Sequence, residues 1–171
     1  MARSTRKTEL LSHYDHAGRI RMVDVSAKPE TARQAKASVL VKMRPQTLRA
    51  LKKNPKGNPL EIARVAGIAA AKRTAEWIPL CHPLPLTHIA VTPRLCKDGV
   101  EIQSRVTATA QTGVEMEALV AATCAALTVY DMCKALDKGI EIADVYLLEK
   151  TGGKSGEYRR AQEKKTRRAH K

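Results

Sequence analysis

The stretch that decides the fold is LTHIAVTPRLCKDGVEIQSRVTATA, residues 86–110. Its two halves, 86–95 and 99–110, read as strands. Asp98-Gly99 between them is a hairpin signal, because Gly supplies the backbone freedom that tight turns need. The second half alternates cleanly: Val100, Ile102, Ser104, Val106 and Ala108 fall on one face, Glu101, Gln103, Arg105 and Thr107 on the other. That pattern belongs to a sheet with one face buried and the other wet.

Outward from the hairpin, the elements alternate. Residues 38–43 (SVLVKM) are β-branched and short enough for a strand. Residues 44–53 read as a short helix with Pro45 in its first turn. A helix rich in small residues runs from Pro59 to about Thr74, and its VAGIAAA segment (65–71) permits close backbone approach. Pro79, Pro83 and Pro85 then break the chain before the hairpin. The clearest helix covers about 114–137, with Thr112-x-x-Glu115 as a capping-box pattern at its start. A last strand covers about 140–149. The order β-α-α-β-β-α-β predicts an α+β, ferredoxin-like sandwich: a mainly antiparallel sheet with helices packed on one face.

A chain of 171 residues, 43% of them hydrophobic, is expected to hold one globular domain. The 31 Lys and Arg against 17 Asp and Glu leave a net charge of +14, which predicts an anionic partner: nucleic acid, acidic membrane or a phosphorylated small molecule. The surplus is uneven. Residues 1–9 carry a net of +2 and 157–171 a net of +5, both read as basic flexible ends around a single domain at 10–156. Aromatic residues are few and scattered (Trp77, Tyr14, Tyr130, Tyr146, Tyr158), so no base-stacking platform is present and nucleic-acid binding would rest on charge alone. Cys81, Cys96, Cys124 and Cys133 form no C-x-x-C pair, which argues against structural zinc or a thioredoxin-like couple. No h-region follows the basic N-terminus, and no apolar run reaches the roughly 18–20 residues of a bilayer span. The expectation is a cytoplasmic protein with free thiols and no membrane partner.

Several constellations carry candidate chemistry. In the long helix, Val120, Cys124, Leu127, Asp131 and Lys134 share one stripe, so an acid–base pair is expected where a core-facing row reaches the helix end. Such a pair can exchange protons with a substrate; an ordinary i,i+3 surface ion pair is the plainer reading. Cys81 and His82 lie in IPLCHPLP (78–85), held rigid by prolines. Adjacent side chains diverge, which argues against a Cys–His nucleophile pair, but His82 suits binding or proton transfer as well as a purely structural role. The KTGGKSG segment (150–156) resembles a phosphate cradle, or a simple Gly-rich hinge. It is no Walker motif, since Leu148 stands where that motif needs Gly. Glu115 and Glu117 would repel phosphate at the helix start but suit the N–H groups of a guanine or pterin edge, or merely complement the helix dipole. Lys56, in PKGN (55–58), is either a mobile functional lysine or an exposed loop residue.

Seven segments together resemble one family: MVDVS (22–26), ARVAGI (63–68), AKRT (71–74), IPLCHPL (78–84), TGVEMEAL (112–119), ALTVYDMCKA (126–135) and LEKTGGKSG (148–156). The chain is identified by them, over roughly 10–158, as similar to the cyclic pyranopterin monophosphate synthases of molybdenum cofactor biosynthesis. The resemblance implies conversion of 3′,8-cyclo-7,8-dihydroguanosine 5′-triphosphate to cyclic pyranopterin monophosphate with release of pyrophosphate. It also implies a homohexamer, a trimer of dimers with active sites between subunits, and neither a redox cofactor nor an obligatory metal. Carried over by position, Asp131 and Lys134 take catalytic acid/base places, and Lys56 that of the loop lysine for cyclic phosphate formation. Leu80, Cys81 and His82 match one binding segment; Met116 and Glu117 match a second. Lys150 and Lys154 are implied at the triphosphate of a neighbouring subunit's site, as are Asp24, Lys28 and Arg33. One departure is visible: Lys56-Gly57-Asn58 replaces the expected Lys-Gly-Asp, keeping a capping oxygen but losing a charge. Two rival functions are a nucleic-acid-binding protein acting nonspecifically through its basic ends and a catalytically idle scaffold of the same family.

Overall fold

The alternation at 99–110 is realised in the computed structural model, which describes residues 13–161 apart from 16 and 155. Strand β1 (Thr31–Lys42) leads into helix α1 (Pro45–Ala50) and a 3-10 turn, Leu51–Lys53. Helix α2 (Pro59–Ala71) and the single turn α3 (Thr74–Trp77) follow. Strands β2 (Leu86–Cys96) and β3 (Gly99–Ala110) form the expected hairpin, and then come α4 (Glu115–Cys133), β4 (Glu141–Thr151) and β5 (Tyr158–Arg159). The sheet order is β2-β3-β1-β4-β5, with every pairing antiparallel. The first four strands thus take the ferredoxin-like order, with β1 and β3 central.

One sheet face supplies Ala35, Ala37, Val39 and Val41 from β1 and Val100, Ile102 and Val106 from β3, all fully buried beneath the helices. Ion pairs Lys36–Glu149 and Lys42–Glu141 link neighbouring strands on the opposite face. Above the buried face, α2 and α4 approach closely, as the small residues of 65–71 predict. A Cβ at Gly67 would lie 2.7 Å from the Ala121 carbonyl oxygen. Helix α4 meets the length and composition of a membrane span, yet over half of it is buried inside the fold, which is the environment of a core helix.

Four details differ from the sequence expectations. β1 begins at Thr31, because residues 31–37 (TARQAKA) are paired with β3 along their length and with β4 from Gln34; tertiary pairing overrides weak strand propensity. α4 stops at Cys133, where the Cys133 carbonyl takes the N–H groups of Leu136 and Asp137 and the chain turns. Its N-cap is Val114 with no side-chain cap, so the Thr112–Glu115 box is not made; the Glu115 carboxylate instead accepts from Lys150 Nζ at 2.9 Å. The fourth concerns the expected core-facing stripe. The buried face of α4 is the alanine face (Ala118, Ala121, Ala122, Ala125, Ala126 and Val129), because close approach to α2 and the sheet favours small side chains, and Leu127 is left 50% exposed. Residues 1–9 lie outside the described residues, as do 162–171. Tyr158 and Arg159 return to the sheet as β5, so this part of the segment read as a basic end forms regular structure.

Candidate active site

Three groups of predicted residues are positioned by α4 and the loops at its ends. The first surrounds its N-terminal turn. The proline-bound loop after α3 is closed by the Cys81 N–H bonding the Ile78 carbonyl at 3.0 Å, and it faces Met116 and Glu117 across a cavity of about 350 Å³. Leu80, Cys81, His82, Met116, Glu117 and Lys28 all line it. Glu117 is only 4% exposed, and burial, reinforced by the negative Glu115, pushes its carboxyl up to about 7 despite the opposing help of its own backbone N–H. It is therefore poised between acceptor and donor near neutral pH. Burial, with the Glu117 charge adding to it, raises the Cys81 thiol, so Cys81 is a neutral wall and no thiolate nucleophile.

An adjoining cavity of about 870 Å³ shares Lys28, Thr112, Gly113 and Glu115, whose carboxylate is paired with Lys150, with the first and adds Arg33 and Lys154. Arg33 donates from Nε to the Ala110 carbonyl and from Nη2 to that of Gln111, both at 3.3 Å. The Gly-rich turn makes this possible: Gly153 has φ +80, and a Cβ there would fall on the Arg33 guanidinium. Three cations thus border a cavity continuous with the Glu117 wall, which is the arrangement a polyphosphate needs. Lys150 sits beside it, with its ammonium on Glu115. Asp24 itself lines neither cavity; its neighbours Val23 and Val25 line the first, while its own carboxylate accepts from the Ser26 hydroxyl and N–H, which, with Arg21 and the wall residue His82 nearby, lower its pKa.

The third group lies at the other end of α4. Lys134 Nζ is 2.7 Å from Asp131 Oδ1, and Lys56 Nζ is 3.8 Å from Oδ2 and 3.2 Å from the Asp131 carbonyl. The Asp131 and Lys134 side chains are 60% and 53% exposed, so the pair is not the half-buried one that the stripe suggests. The hydrogen bond from Lys134, then its charge and that of Lys56, lower Asp131, and the same bond raises Lys134. In one isolated chain both stay ionised at neutral pH. Sixteen helical residues, about 24 Å of rise, separate Asp131 from Glu115 at the cavity end. Within one chain, therefore, the binding walls and the Asp131 group do not meet.

The MoaC family pattern matches residues 22–153. The chain belongs to the MoaC family. The match takes in every predicted site residue except Lys154, one position beyond it. The cyclic pyranopterin monophosphate synthase 1 of Mycobacterium tuberculosis (strain ATCC 25618 / H37Rv) is 55% identical over 154 residues, covering 88% of this chain and 91% of its own. The synthase of Thermomicrobium roseum is 54% identical over 154 residues, with 88% and 93% covered, and that of Roseiflexus sp. (strain RS-1) 53% over 152, with 86% and 96% covered.

In this MoaC-family chain the cavity walls also include residues that sequence reasoning passed over. His13, from the N-terminal turn, lines the Glu117 cavity with its Nδ1 buried and without a hydrogen-bond partner among the described residues. Thr112 and Gly113 line both cavities. Nothing in the local pattern around His13 marks it, because its place depends on a bridge between Tyr14 and Ile20 that folds the segment back. Among the described residues no group of three or more His, Cys, Asp or Glu is gathered for a metal ion.

Proposed function

We propose that each active site is shared by two chains, the cavities of one holding substrate while Lys56, Asp131 and Lys134 of another complete the chemistry. The activity is that of the family: 3′,8-cyclo-7,8-dihydroguanosine 5′-triphosphate becomes cyclic pyranopterin monophosphate and pyrophosphate leaves, in molybdenum cofactor biosynthesis. The observation that carries the shared site is the separation of about 24 Å along α4. A second chain is also favoured by the apolar side chains left outward on the helical layer, Ile62 and Val65 of α2 and Leu127 of α4. A homohexamer built as a trimer of dimers satisfies both, and the four free cysteines suit the reducing cytoplasm.

The roles follow from charge and position. Lys28, Arg33 and Lys154 neutralise the triphosphate and stabilise the departing pyrophosphate. Glu117 meets the N–H edge of the heterocycle beside Leu80, Cys81, His82 and Met116. Asp131 and Lys134, desolvated by the second chain and the substrate, exchange protons during the rearrangement. Lys56 serves the closing step, in which a substrate hydroxyl attacks the α-phosphorus, loses its proton and displaces pyrophosphate. Purified protein supplied with the cyclic dihydro-GTP precursor is expected to release the pyranopterin phosphate and pyrophosphate. Folded protein that yields neither sinks the proposal.

A further inference from the structure

The last turn of a helix leaves four backbone carbonyls without intrahelical partners. At the end of α4 the last i→i+4 bond falls on Tyr130 O, and the next three carbonyls are met from beyond the helix. Tyr130 O accepts from the Lys134 N–H at 2.8 Å, and Cys133 O from Leu136 and Asp137. The two between them are reached from outside the helix: Asp131 O by Lys56 Nζ at 3.2 Å and Met132 O by Asn54 Nδ2 at 2.9 Å. The loop that carries Lys56 is therefore the cap of α4, supplied from more than seventy residues upstream.

Asn54 joins the two parts. While its Nδ2 holds α4, its Oδ1 accepts the Lys56 backbone N–H at 2.9 Å in an Asx turn. Its own N–H closes the preceding 3-10 turn on Leu51 O, and its carbonyl takes the Gly57 N–H at 3.1 Å. Pro55 fixes the backbone between, and Gly57 accepts φ +98. The Lys56 side chain itself is 48% exposed, and its contacts with Asp131 are surface contacts that hold a flexible ammonium weakly.

We propose that Asn54 is the positioning residue for Lys56: one amide, bridging the Lys56 N–H and the Met132 carbonyl, fixes where the ammonium sits above Asp131. The inference rests on the reading of Lys56 and Asp131 given above. Asn54→Ala is expected to lower kcat about 10- to 100-fold, the scale of a misplacement near 1 Å, with KM little changed. In a Lys56→Ala background the same substitution lowers kcat no further, because the group it positions is gone. Asn54→Ser keeps an acceptor for the Lys56 N–H but has no amide to reach Met132, and it shows the same loss if the Ala variant does not fold. Wild-type kcat in folded Asn54→Ala or Asn54→Ser overturns the proposal. So does a loss in the Lys56→Ala background as large as in the parent. Normal turnover by Lys56→Ala alone is a separate result, which removes the assignment of Lys56 itself.

Discussion

Glu117 is the residue where burial most changes chemistry. A carboxyl raised to about 7 in the fold, from an ordinary value near 4.5, holds a proton that the unfolded chain has lost across that interval. The native state then binds more protons than the unfolded state, so the Glu117 contribution to stability is most favourable below about pH 4.5 and declines as pH rises towards 7, by an amount on the order of 3 kcal/mol. Glu117→Gln is expected to flatten this slope and raise Tm at pH 8, with turnover strongly reduced because the group proposed to meet the heterocycle has changed. Thermal melts at pH 5 and pH 8 check it; an unaltered slope refutes the buried acid. At the other end of α4, Asp131→Ala and Lys134→Ala each break an exposed ion pair that solvent screens, so it adds little to stability. Their melts should hardly move while turnover falls at least about 100-fold, the scale of a positioned acid or base, and retained turnover would refute their roles. The residue types at these places were legible in the sequence, as were the rigid proline loop and the carboxylates of the first helical turn. Their grouping was not: Leu80–His82 and Met116–Glu117 lie more than thirty residues apart, and only the fold sets them across one cavity.

Among the elements, α2 and α4 were the ones whose packing the sequence anticipated, through the small residues at 65–71. Gly67→Ala sets two effects against each other. Helix propensity favours Ala by about 1 kcal/mol, while overpacking costs about 1–3 kcal/mol. With a Cβ 2.7 Å from a backbone carbonyl that cannot rotate away, the clash wins and Tm should fall; a variant melting at or above the parent would show that the helices separate easily. The early end of α4 was invisible because apolar spacing continues past Cys133, whereas the stop depends on long-range partners. Asp137 is 3% exposed and holds Arg44, Thr47 and Gly139. Burial alone would raise its carboxyl, but bonds from the Arg44 side chain and backbone, the Gly139 N–H and the Thr47 hydroxyl together bring it to about 2. The stabilisation is thus complete above about pH 4 and is lost as pH falls from there towards 2. An Asp137→Asn variant should lose that acid-dependent phase and be less stable at neutral pH, as acid titration of its fluorescence or circular dichroism would show. β1 escaped full detection for a related reason: its first seven residues are strand because neighbours pair with them.

At the scale of the whole molecule, the site proposed above would join the two ends of α4 across two chains. Subunits bearing His82→Ala and subunits bearing Asp131→Ala should each be inactive alone. Co-assembled, some interfaces combine an intact cavity with an intact Asp131 group, and turnover should return. Mixed assemblies that form but stay silent would mean that each chain works alone. The opening hairpin and its one-sided alternation were enough to foresee the sheet and its helical layer, but no local pattern could report which surfaces remain for another copy. The smallest strand has a consequence of a different kind. β5 pairs with the outer side of β4 at Glu149 and Lys150, the Arg160 N–H bonds the Leu148 carbonyl at 2.8 Å, and the Arg160 guanidinium lies 4.5 Å from the Tyr146 ring centre. Together they occupy backbone that an unshielded edge would offer to any passing strand. Removing 162–171 should leave the protein dispersed, whereas removing 157–171, which takes away only one further unit of net positive charge, should promote strand-to-strand aggregation detectable by light scattering. The C-terminal segment, on this view, includes a guard against sticking to itself.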